Sequence, residues 1–345
     1  MDKQYILDFM QECLRIPSVT GDTGRCMEWI EEQFEKLGVE THRTNKGAVY
    51  GTIPGEDDDH QVLVNAHVDT LGAMVREILP NGRLRVTNVG GWTYITYEGE
   101  NLLVHTMDGR TVSGTLLYEK PSVHISPVDA REEVRTEFNM EVRLDEDVHS
   151  AADTRALGIE VGDFISFDPK TVVMPNGFIK SRYIDDKACV AILFGVMKQL
   201  KEQGVRPLHT THFYIANFEE LGHGVSYIPP KVTEQLSIDI GTVGVTHNAD
   251  EHSVSICAKD SRTTYDFAFR KKLVKLAQKN QIPYKVDVHY RYGSDASMSV
   301  LRGADTNFAC IGPGTDATHH YERTHTDAVM ATAQLLLAYL SQEEC

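Results

Sequence analysis

Carboxylate and imidazole side chains recur in this sequence where predicted strands end or predicted helices begin. In open α/β sheets the carboxyl ends of the strands meet at one edge, so these side chains can converge on one site. Two divalent cations about 3.5–4 Å apart need a bridging carboxylate together with separate imidazole and carboxylate ligands. The residue types suit a dinuclear metal site, and the acids and histidines that could converge there are His67, Asp69, Asp185, Asp186, Glu219, Glu220, Asp239 and His325.

Each candidate also has a purely structural interpretation. A pair such as Glu219-Glu220 is most often solvated, and Asp185-Asp186 could form a helix N-cap with a first-turn acid, worth about 1 kcal/mol. Asp239 is harder to explain in this way, because a carboxylate buried in an apolar strand is costly without a partner. Asp69, two residues after His67, suits the carboxylate that orients a metal-bound imidazole.

Helical and strand patterns on both sides of a central stretch indicate an α/β domain. Helical spacing of apolar residues opens the chain near residues 6–14 and 27–37, and an apolar strand at 62–66 ends directly on His67. After Asp185, strands and helices alternate up to a closing helix at 327–340. Such alternation is typical of a largely parallel sheet with helices on both faces. We expect residues 1–72 and 181–345 to form this domain.

The stretch between these parts, residues 73–180, is expected to be an inserted all-β domain with a barrel-like or PDZ-like fold. Short β-rich pieces, including one at 92–97, alternate there with turns such as Asn81-Gly82. Its aromatic residues, such as Trp92, Tyr94 and Tyr97, either fill a small barrel or form a surface for self-assembly. The second interpretation predicts that this domain mediates oligomerisation.

Composition excludes several classes of protein. The 50 acidic residues against 34 Lys and Arg give a formal net charge of −16, which argues against nucleic-acid binding. No apolar run approaches the roughly 18 residues that span a bilayer, and the N-terminal residues do not resemble a signal peptide, so we expect a cytoplasmic protein. The six cysteines lack paired spacing and are expected to be reduced thiols: Cys13, Cys26, Cys189, Cys257, Cys310 and Cys345.

At the candidate ligands the sequence resembles peptidase family M42, the glutamyl and tetrahedral aminopeptidases, some of whose members are named cellulases. The resemblance covers essentially the whole chain, including the insertion. It is strongest to a subgroup, often encoded beside osmoprotectant genes, that carries Val-Gly-Asp-Phe before the Asp-Asp pair. The matching segments are Asn-Ala-His-Val-Asp-Thr-Leu-Gly from Asn65, Ile-Asp-Asp-Lys-Ala from Ile184, Phe-Glu-Glu-Leu-Gly from Phe218, Ser-Ile-Asp from Ser237 and Thr-His-Thr from Thr324.

The resemblance implies a role for each candidate residue. It implies that His67 and Asp239 hold one metal ion, that Glu220 and His325 hold the other, and that Asp185 bridges them. Glu219 is implied to be the general base, beside Asp69 as a second catalytic residue. The peptide bond between Asp185 and Asp186 is implied to be cis. The nearby His319 and His320 are alternatives to His325 as the last ligand.

The family also implies an activity: hydrolysis of the N-terminal peptide bond of short peptides by a homo-oligomer, from dimer to dodecamer. Zinc is the expected metal, with cobalt and manganese as alternatives. Two other functions remain open, namely an amidohydrolase of a small amide or acylated dipeptide and a non-catalytic binding relative. Lys187 stands where family members often have Arg, and Asp295 is either close to the site or a helix N-cap.

Overall fold

The computed structural model describes residues 1–342 and divides the chain into two compact units. An α/β unit contains residues 1–70 and those from 170 onward, and a β-barrel unit contains residues 71–169. The sequence analysis placed residues 170–180 in the insertion, whereas the structure places them in the α/β unit. No helix within residues 1–342 is long and apolar enough to cross a membrane.

The helices predicted near residues 6–14, 27–37 and 327–340 are present at Lys3–Arg15, Gly24–Lys36 and Thr326–Ser341, whereas the helix at Pro127–Glu132 was not predicted. The first is capped by the Asp2 side chain, which accepts a hydrogen bond from the Tyr5 amide, and it buries an apolar face that includes Ile6 and Met10. The described helices are α1 (Lys3–Arg15), α2 (Gly24–Lys36), α3 (Pro127–Glu132), α4 (Ala151–Ala156), α5 (Ile184–Gln203), α6 (Phe267–Lys279), α7 (Asp295–Leu301) and α8 (Thr326–Ser341).

Eighteen strands are present in the described part of the chain. They are β1 (Thr41–Arg43), β2 (Val49–Ile53), β3 (Asp57–His67), β4 (Gly72–Ile78), β5 (Leu84–Val89), β6 (Asn101–His105), β7 (Thr111–Tyr118), β8 (Met140–Leu144), β9 (Phe164–Phe167), β10 (Val172–Val173), β11 (Phe178–Ser181), β12 (His209–Ala216), β13 (Val232–Ile238), β14 (Gly241–Val243), β15 (Val254–Lys259), β16 (Tyr284–Val288), β17 (Asn307–Asp316) and β18 (Glu322–His325).

The α/β unit contains a mixed sheet in the order β1-β2-β12-β3-β13-β17-β18-β11-β10, in which β14 and β15 also pair with β17, and β16 pairs with β15. Its central strands β12, β3, β13 and β17 run parallel, whereas β1, β2, β18, β11 and β10 pair antiparallel. The α/β class is confirmed, but the sheet is mixed, not largely parallel. The pairing of β11 with β18 explains why residues 170–180 belong to this unit.

The barrel unit is a closed six-stranded barrel in the order β4-β5-β8-β7-β6-β9, so the barrel-like insertion is confirmed. Residues 92–97 form a loop with a 3₁₀ turn at Tyr94–Thr96, and the strand predicted there is wrong. Trp92, Tyr94 and Tyr97 are buried and pack against one another, and the Trp92 indole donates a hydrogen bond to the Gly72 carbonyl. These aromatic residues therefore fill the barrel and do not form an assembly surface.

The cysteines within residues 1–342 are free and buried, as the absence of paired spacing predicted. They occupy apolar positions of the helices and strands, namely Cys13, Cys26, Cys189, Cys257 and Cys310. Cys345 lies outside the described residues.

Candidate metal centre

Three parallel neighbours of the sheet end at the same edge and bring the candidate residues there. Ala216 of β12 is paired with His67 of β3, so the segment that follows β12 begins beside His67. Asp239 directly follows β13, whose Ser237 is paired with Asn65 of β3. The carboxyl ends of these strands thus supply an imidazole, a glutamate pair and an aspartate to one region, as expected for an open α/β sheet.

The start of α5 adds two further carboxylates. The peptide bond between Asp185 and Asp186 is cis, which confirms that prediction. The Asp185 amide donates to Glu322 Oε2 at 3.1 Å, and the His67 amide donates to Asp186 Oδ2 at 3.1 Å. Both aspartates, Asp185 and Asp186, are buried, so the start of α5 places two carboxylates in the interior of the α/β unit.

Side-chain distances define two groups of possible metal ligands that share His67. One contains His67, Asp185 and Glu220, and the other contains His67, Asp186 and Asp239. His67 Nε2 lies 3.2 Å from Asp185 Oδ1 and 3.7 Å from Glu219 Oε2. The structure therefore brings together four of the five predicted ligands and adds Asp186, which the sequence analysis did not assign to the metals.

Asp69 connects the imidazole to the glutamate pair. One of its carboxylate oxygens accepts the Glu219 amide at 3.1 Å, and the other accepts the Glu220 amide at 3.2 Å. His67 Nδ1 lies 2.9 Å from the Asp69 carbonyl oxygen and 3.4 Å from its Oδ1. Nδ1–H can donate to this residue, which leaves the Nε2 lone pair for the site. Asp69 is thus placed to orient side chains, and the Thr20 hydroxyl donates to it at 2.8 Å.

The glutamate pair does not continue the strand. β12 ends at Ala216, and Glu219–Leu221 form a 3₁₀ turn. With three residues per turn, neighbouring side chains leave the axis about 120° apart. Glu219 accordingly approaches His67, whereas Glu220 Oε2 lies 3.8 Å from His319 Nε2.

Electrostatics in this cluster are dominated by buried carboxylates. Burial raises the pKa of Glu219 well above its usual value, with His67 opposing the shift and Asp239 adding to it. Burial likewise raises the pKa of Glu220 to about 7, although the nearby His319 lowers it. The pKa of Asp239 is raised by burial and by the charge of Asp185. Mutual repulsion among so many acids in a low dielectric calls for added positive charge.

The residues present fit divalent metal ions. His67 Nε2 and Asp186 Oδ1 are buried atoms with no hydrogen-bond partner among the described residues, although a buried polar atom normally has one. The donor set of imidazole nitrogen and carboxylate oxygens is the set that zinc, cobalt and manganese accept. A buried charge of this kind is stable when it coordinates a cation.

The structure does not bring His325 to this cluster. Its Nε2 lies 2.8 Å from the Asn176 carbonyl oxygen, and its Nδ1 accepts the Asp327 amide at 3.1 Å as the N-cap of α8. His319 occupies the corresponding place, with Nε2 3.5 Å from Asp185 Oδ2. His319 precedes β18 and His325 ends it, so the two imidazoles reach different surroundings. His319 was an alternative in the sequence analysis, and no signal there favoured it.

Two other residues have structural positions that the sequence left open. Asp295 is buried, and its Oδ1 accepts the Val225 amide at 3.0 Å. It is the first residue of α7 and not its N-cap, because Ser294 forms the capping box with Ser297. Lys187 is buried, and its ammonium group donates to the carbonyls of Cys13 and Ile16 at 2.9 and 2.6 Å. Lys187 therefore anchors α5 to the end of α1.

Comparison with known proteins gives consistent matches. The family model described as M42 glutamyl aminopeptidase matches residues 47–335. The Bacillus subtilis (strain 168) protein named "Putative aminopeptidase YhfE" is 45% identical over 335 residues, which are 97% of this chain and 96% of that protein. A Lactococcus lactis protein named glutamyl aminopeptidase is 23% identical over 195 residues, 54% of this chain and 53% of that protein.

Solved structures share the fold at low identity. The TET aminopeptidase of the archaeon Thaumarchaeota archaeon SCGC AB-539-E09 superposes with a TM-score of 0.88 at 19% identity, covering 98% of this chain and 97% of that one. The Pyrococcus horikoshii TET1 peptidase, described as able to assemble into a tetrahedron or a large octahedral shell, gives a TM-score of 0.85 at 19% identity. That match covers 98% of this chain and 100% of the TET1 chain.

Proposed function

The chain belongs to the M42 glutamyl aminopeptidase family, and we propose that it is a two-metal aminopeptidase that removes N-terminal residues from short peptides. The observation that supports this most directly is the pair of ligand groups sharing His67, with Glu219 Oε2 only 3.7 Å from its Nε2. A hydrolase of the dinuclear type needs this combination of ligands and a carboxylate beside them.

In the proposed assignment, His67 and Asp239 hold one ion, Glu220 and His319 hold the other, and Asp185 lies between them. His319 replaces His325, because only His319 lies within 4 Å of both Asp185 and Glu220. Asp186 supports the first group, in which its carboxylate lies with the His67 imidazole and the Asp239 carboxylate. We propose zinc as the metal, since imidazole and carboxylate ligands suit it.

When bound, the two ions would polarise the scissile carbonyl and lower the pKa of a water at the site toward about 7. Glu219 takes the proton of that water and delivers it to the leaving amine. Its backbone is held by Asp69 Oδ1 at 3.1 Å, which keeps the carboxylate beside His67. Asp69 therefore acts by positioning both the base and the imidazole.

The alternative function is hydrolysis of a small amide or acylated dipeptide by the same residues. The two functions differ in their need for a free substrate α-amine, which an aminopeptidase requires and an acyl-dipeptide hydrolase does not. The non-catalytic alternative is disfavoured by Glu219, a buried carboxylate in a cluster of other acids, which a binding protein has no physical reason to retain.

We expect the zinc-loaded chain to hydrolyse a peptide amide with a free N-terminus and to lose that activity on chelation. An N-acetylated form of the same peptide should be turned over at least about 100-fold more slowly, because the α-amine is a recognition group whose loss leaves polar partners unpaired. The measurement is product formation for both peptides, before chelation, after it, and after zinc is restored.

Faster turnover of the acetylated peptide would favour the amidohydrolase. Absence of turnover on both peptides and on acylated dipeptides, with two ions bound, would favour the non-catalytic alternative.

We also propose that the chain forms a homo-oligomer through its barrel unit, as the Pyrococcus horikoshii TET1 peptidase forms shells. The barrel unit exposes several large apolar side chains, which are costly to leave in water. Those more than half exposed include Ile95, Met107, Ile125, Val134 and Phe138. Light scattering at micromolar concentration is expected to give a multiple of the 38.6 kDa chain mass. A mass of one chain would contradict this proposal.

A further inference from the structure

A second set of possible metal ligands lies at the N-terminus of α8, on residues that the proposed catalytic centre does not use. Asp327 Oδ2 is 3.1 Å from His252 Nδ1 and also 3.1 Å from His325 Nδ1. The imidazole rings of His252 and His325 have centroids 4.3 Å apart and planes tilted by 41°. One ligand atom from each of the three residues lies within 4.8 Å of the other two.

The two separations between Asp327 and the imidazoles are close to the spacing of ligands around one tetrahedral ion. Zinc binds imidazole nitrogen and carboxylate oxygen at about 2.0–2.2 Å, so two of its tetrahedral ligand atoms lie roughly 3.3–3.5 Å apart. Both Asp327–imidazole separations, 3.1 Å, are within a few tenths of an ångström of that value. An ion among the three atoms would therefore sit at ordinary ligand distances from Asp327 and one imidazole, while the second imidazole turns toward it within the 4.8 Å that separates the ligand atoms.

The hydrogen bonds of His325 also favour coordination. Its Nε2 lies 2.8 Å from the Asn176 carbonyl oxygen, which requires the proton on Nε2. The lone pair is then on Nδ1, where it accepts the Asp327 amide at 3.1 Å, and a bound ion would take the place of that hydrogen bond. Metal-binding histidines commonly donate their other ring N–H to a backbone carbonyl, because this fixes the tautomer and the ring orientation.

Two neighbouring residues complete the surroundings. Glu251 directly precedes His252, and its Oε1 is buried with no hydrogen-bond partner among residues 1–342. The Phe178 ring contacts both imidazoles edge-on, with centroids 5.0 Å from His325 and 5.8 Å from His252. Burial raises the pKa of Glu251, whereas the charges of both histidines lower it, so its carboxylate is near enough to both to favour a cation among them.

We propose that His252, His325 and Asp327 form a separate, structural site for a borderline divalent ion such as Zn²⁺, with Glu251 or a water as the fourth ligand. Such an ion would join the loop before β15, the turn that contains Asn176, and the start of α8. These three segments are distant in sequence, so one shared ion would stabilise the folded state over the unfolded one. The competing explanation is an ion pair of Asp327 with a protonated imidazole, which needs no metal.

The test is zinc content per chain at pH 7.5, by elemental analysis after removal of free zinc, for the native sequence and for His252→Ala. We expect His252→Ala to contain one ion fewer, whatever the occupancy of the catalytic centre. Turnover of the free-amine peptide should be unchanged, and the zinc-dependent rise in melting temperature should be smaller. Asp327→Asn, which keeps the side-chain volume, should also contain one ion fewer.

The matched control is His60→Ala. His60 Nδ1 also lies 3.1 Å from a carboxylate oxygen, that of Asp57, and its side chain is exposed like that of His252. No change in zinc content is expected for it. Equal zinc content in the native chain, His252→Ala and Asp327→Asn would overturn the proposal in favour of the ion pair. Loss of turnover in His252→Ala to the level of the chelated protein would also overturn it, because the cluster would then serve the catalytic centre.

Discussion

Glu219→Gln is expected to keep the metal content of the native chain and to lose on the order of 10²–10⁴ in kcat, the usual contribution of a positioned proton carrier. An amide at this position cannot accept the proton of the attacking water. It is nearly isosteric, and the backbone hydrogen bond from residue 219 to Asp69 remains, so the fold and the other ligands should be unaffected. Elemental analysis measures the metal content, and turnover of a free-amine peptide by the same preparation measures kcat.

The neighbouring change, Glu220→Gln, should act on the metal and not on proton transfer. Glu220 belongs to the ligand group of His67 and Asp185, and its Oε2 lies 3.8 Å from His319 Nε2. Replacing an anionic ligand by a neutral amide weakens one ion site, so metal content at limiting zinc should fall, and added zinc should partly restore turnover.

A glutamate pair elsewhere provides the control. Glu132 and Glu133 are adjacent and exposed at the end of α3, so Glu132→Gln should change stability by no more than about 0.5 kcal/mol and leave activity intact. Near-normal turnover of Glu219→Gln with its metals retained would refute Glu219 as the base. Full metal content of Glu220→Gln at limiting zinc would refute its assignment as a ligand.

The candidate residues that the structure brings together are those whose position follows from a strand end. The apolar run that ends on His67 is a buried central strand, and Asp239 follows the neighbouring parallel strand. Hydrophobic periodicity determines where such a strand ends, and the parallel arrangement then brings the ends together. Asp185 and Glu220 follow the same logic, because each lies at the junction of two regular elements.

The residues whose surroundings the sequence did not predict lie in or beside irregular segments, where the path of the backbone decides which way a side chain points. Whether His319 or His325 faces the catalytic cluster depends on the turn between β17 and β18, where Ala317 has a positive φ of 59°. No periodicity encodes that geometry, and the order of motifs along the chain is the same for both histidines. Trp92 was misassigned for a related reason, since its β propensity was outweighed by the space it fills inside the barrel.

The choice between the two histidines yields the second large expected effect. His319→Ala should lower the zinc affinity of the catalytic centre by at least about 10–100-fold, because even residues that only support a ligand contribute that much. Turnover at limiting zinc should fall in proportion to the lost ion. His319 Nε2 lies 3.5 Å from Asp185 Oδ2 and 3.8 Å from Glu220 Oε2, so its removal affects two proposed ligands together.

His325→Ala should behave differently, because the His325 Nε2 lies beside the Asn176 carbonyl and its Nδ1 accepts the Asp327 amide at the start of α8. Losing the N-cap should lower the free energy of unfolding by about 1 kcal/mol, while kcat at saturating zinc stays close to that of the native chain. His320→Ala is the matched control, since that histidine is exposed and its Nδ1 accepts the Tyr321 amide. Zinc titrations of turnover on all three variants compare the sites directly. A loss of turnover confined to His325→Ala would restore His325 as the catalytic ligand and exclude His319, whereas equal losses in the His319 and His320 variants would point to a general disturbance of the turn.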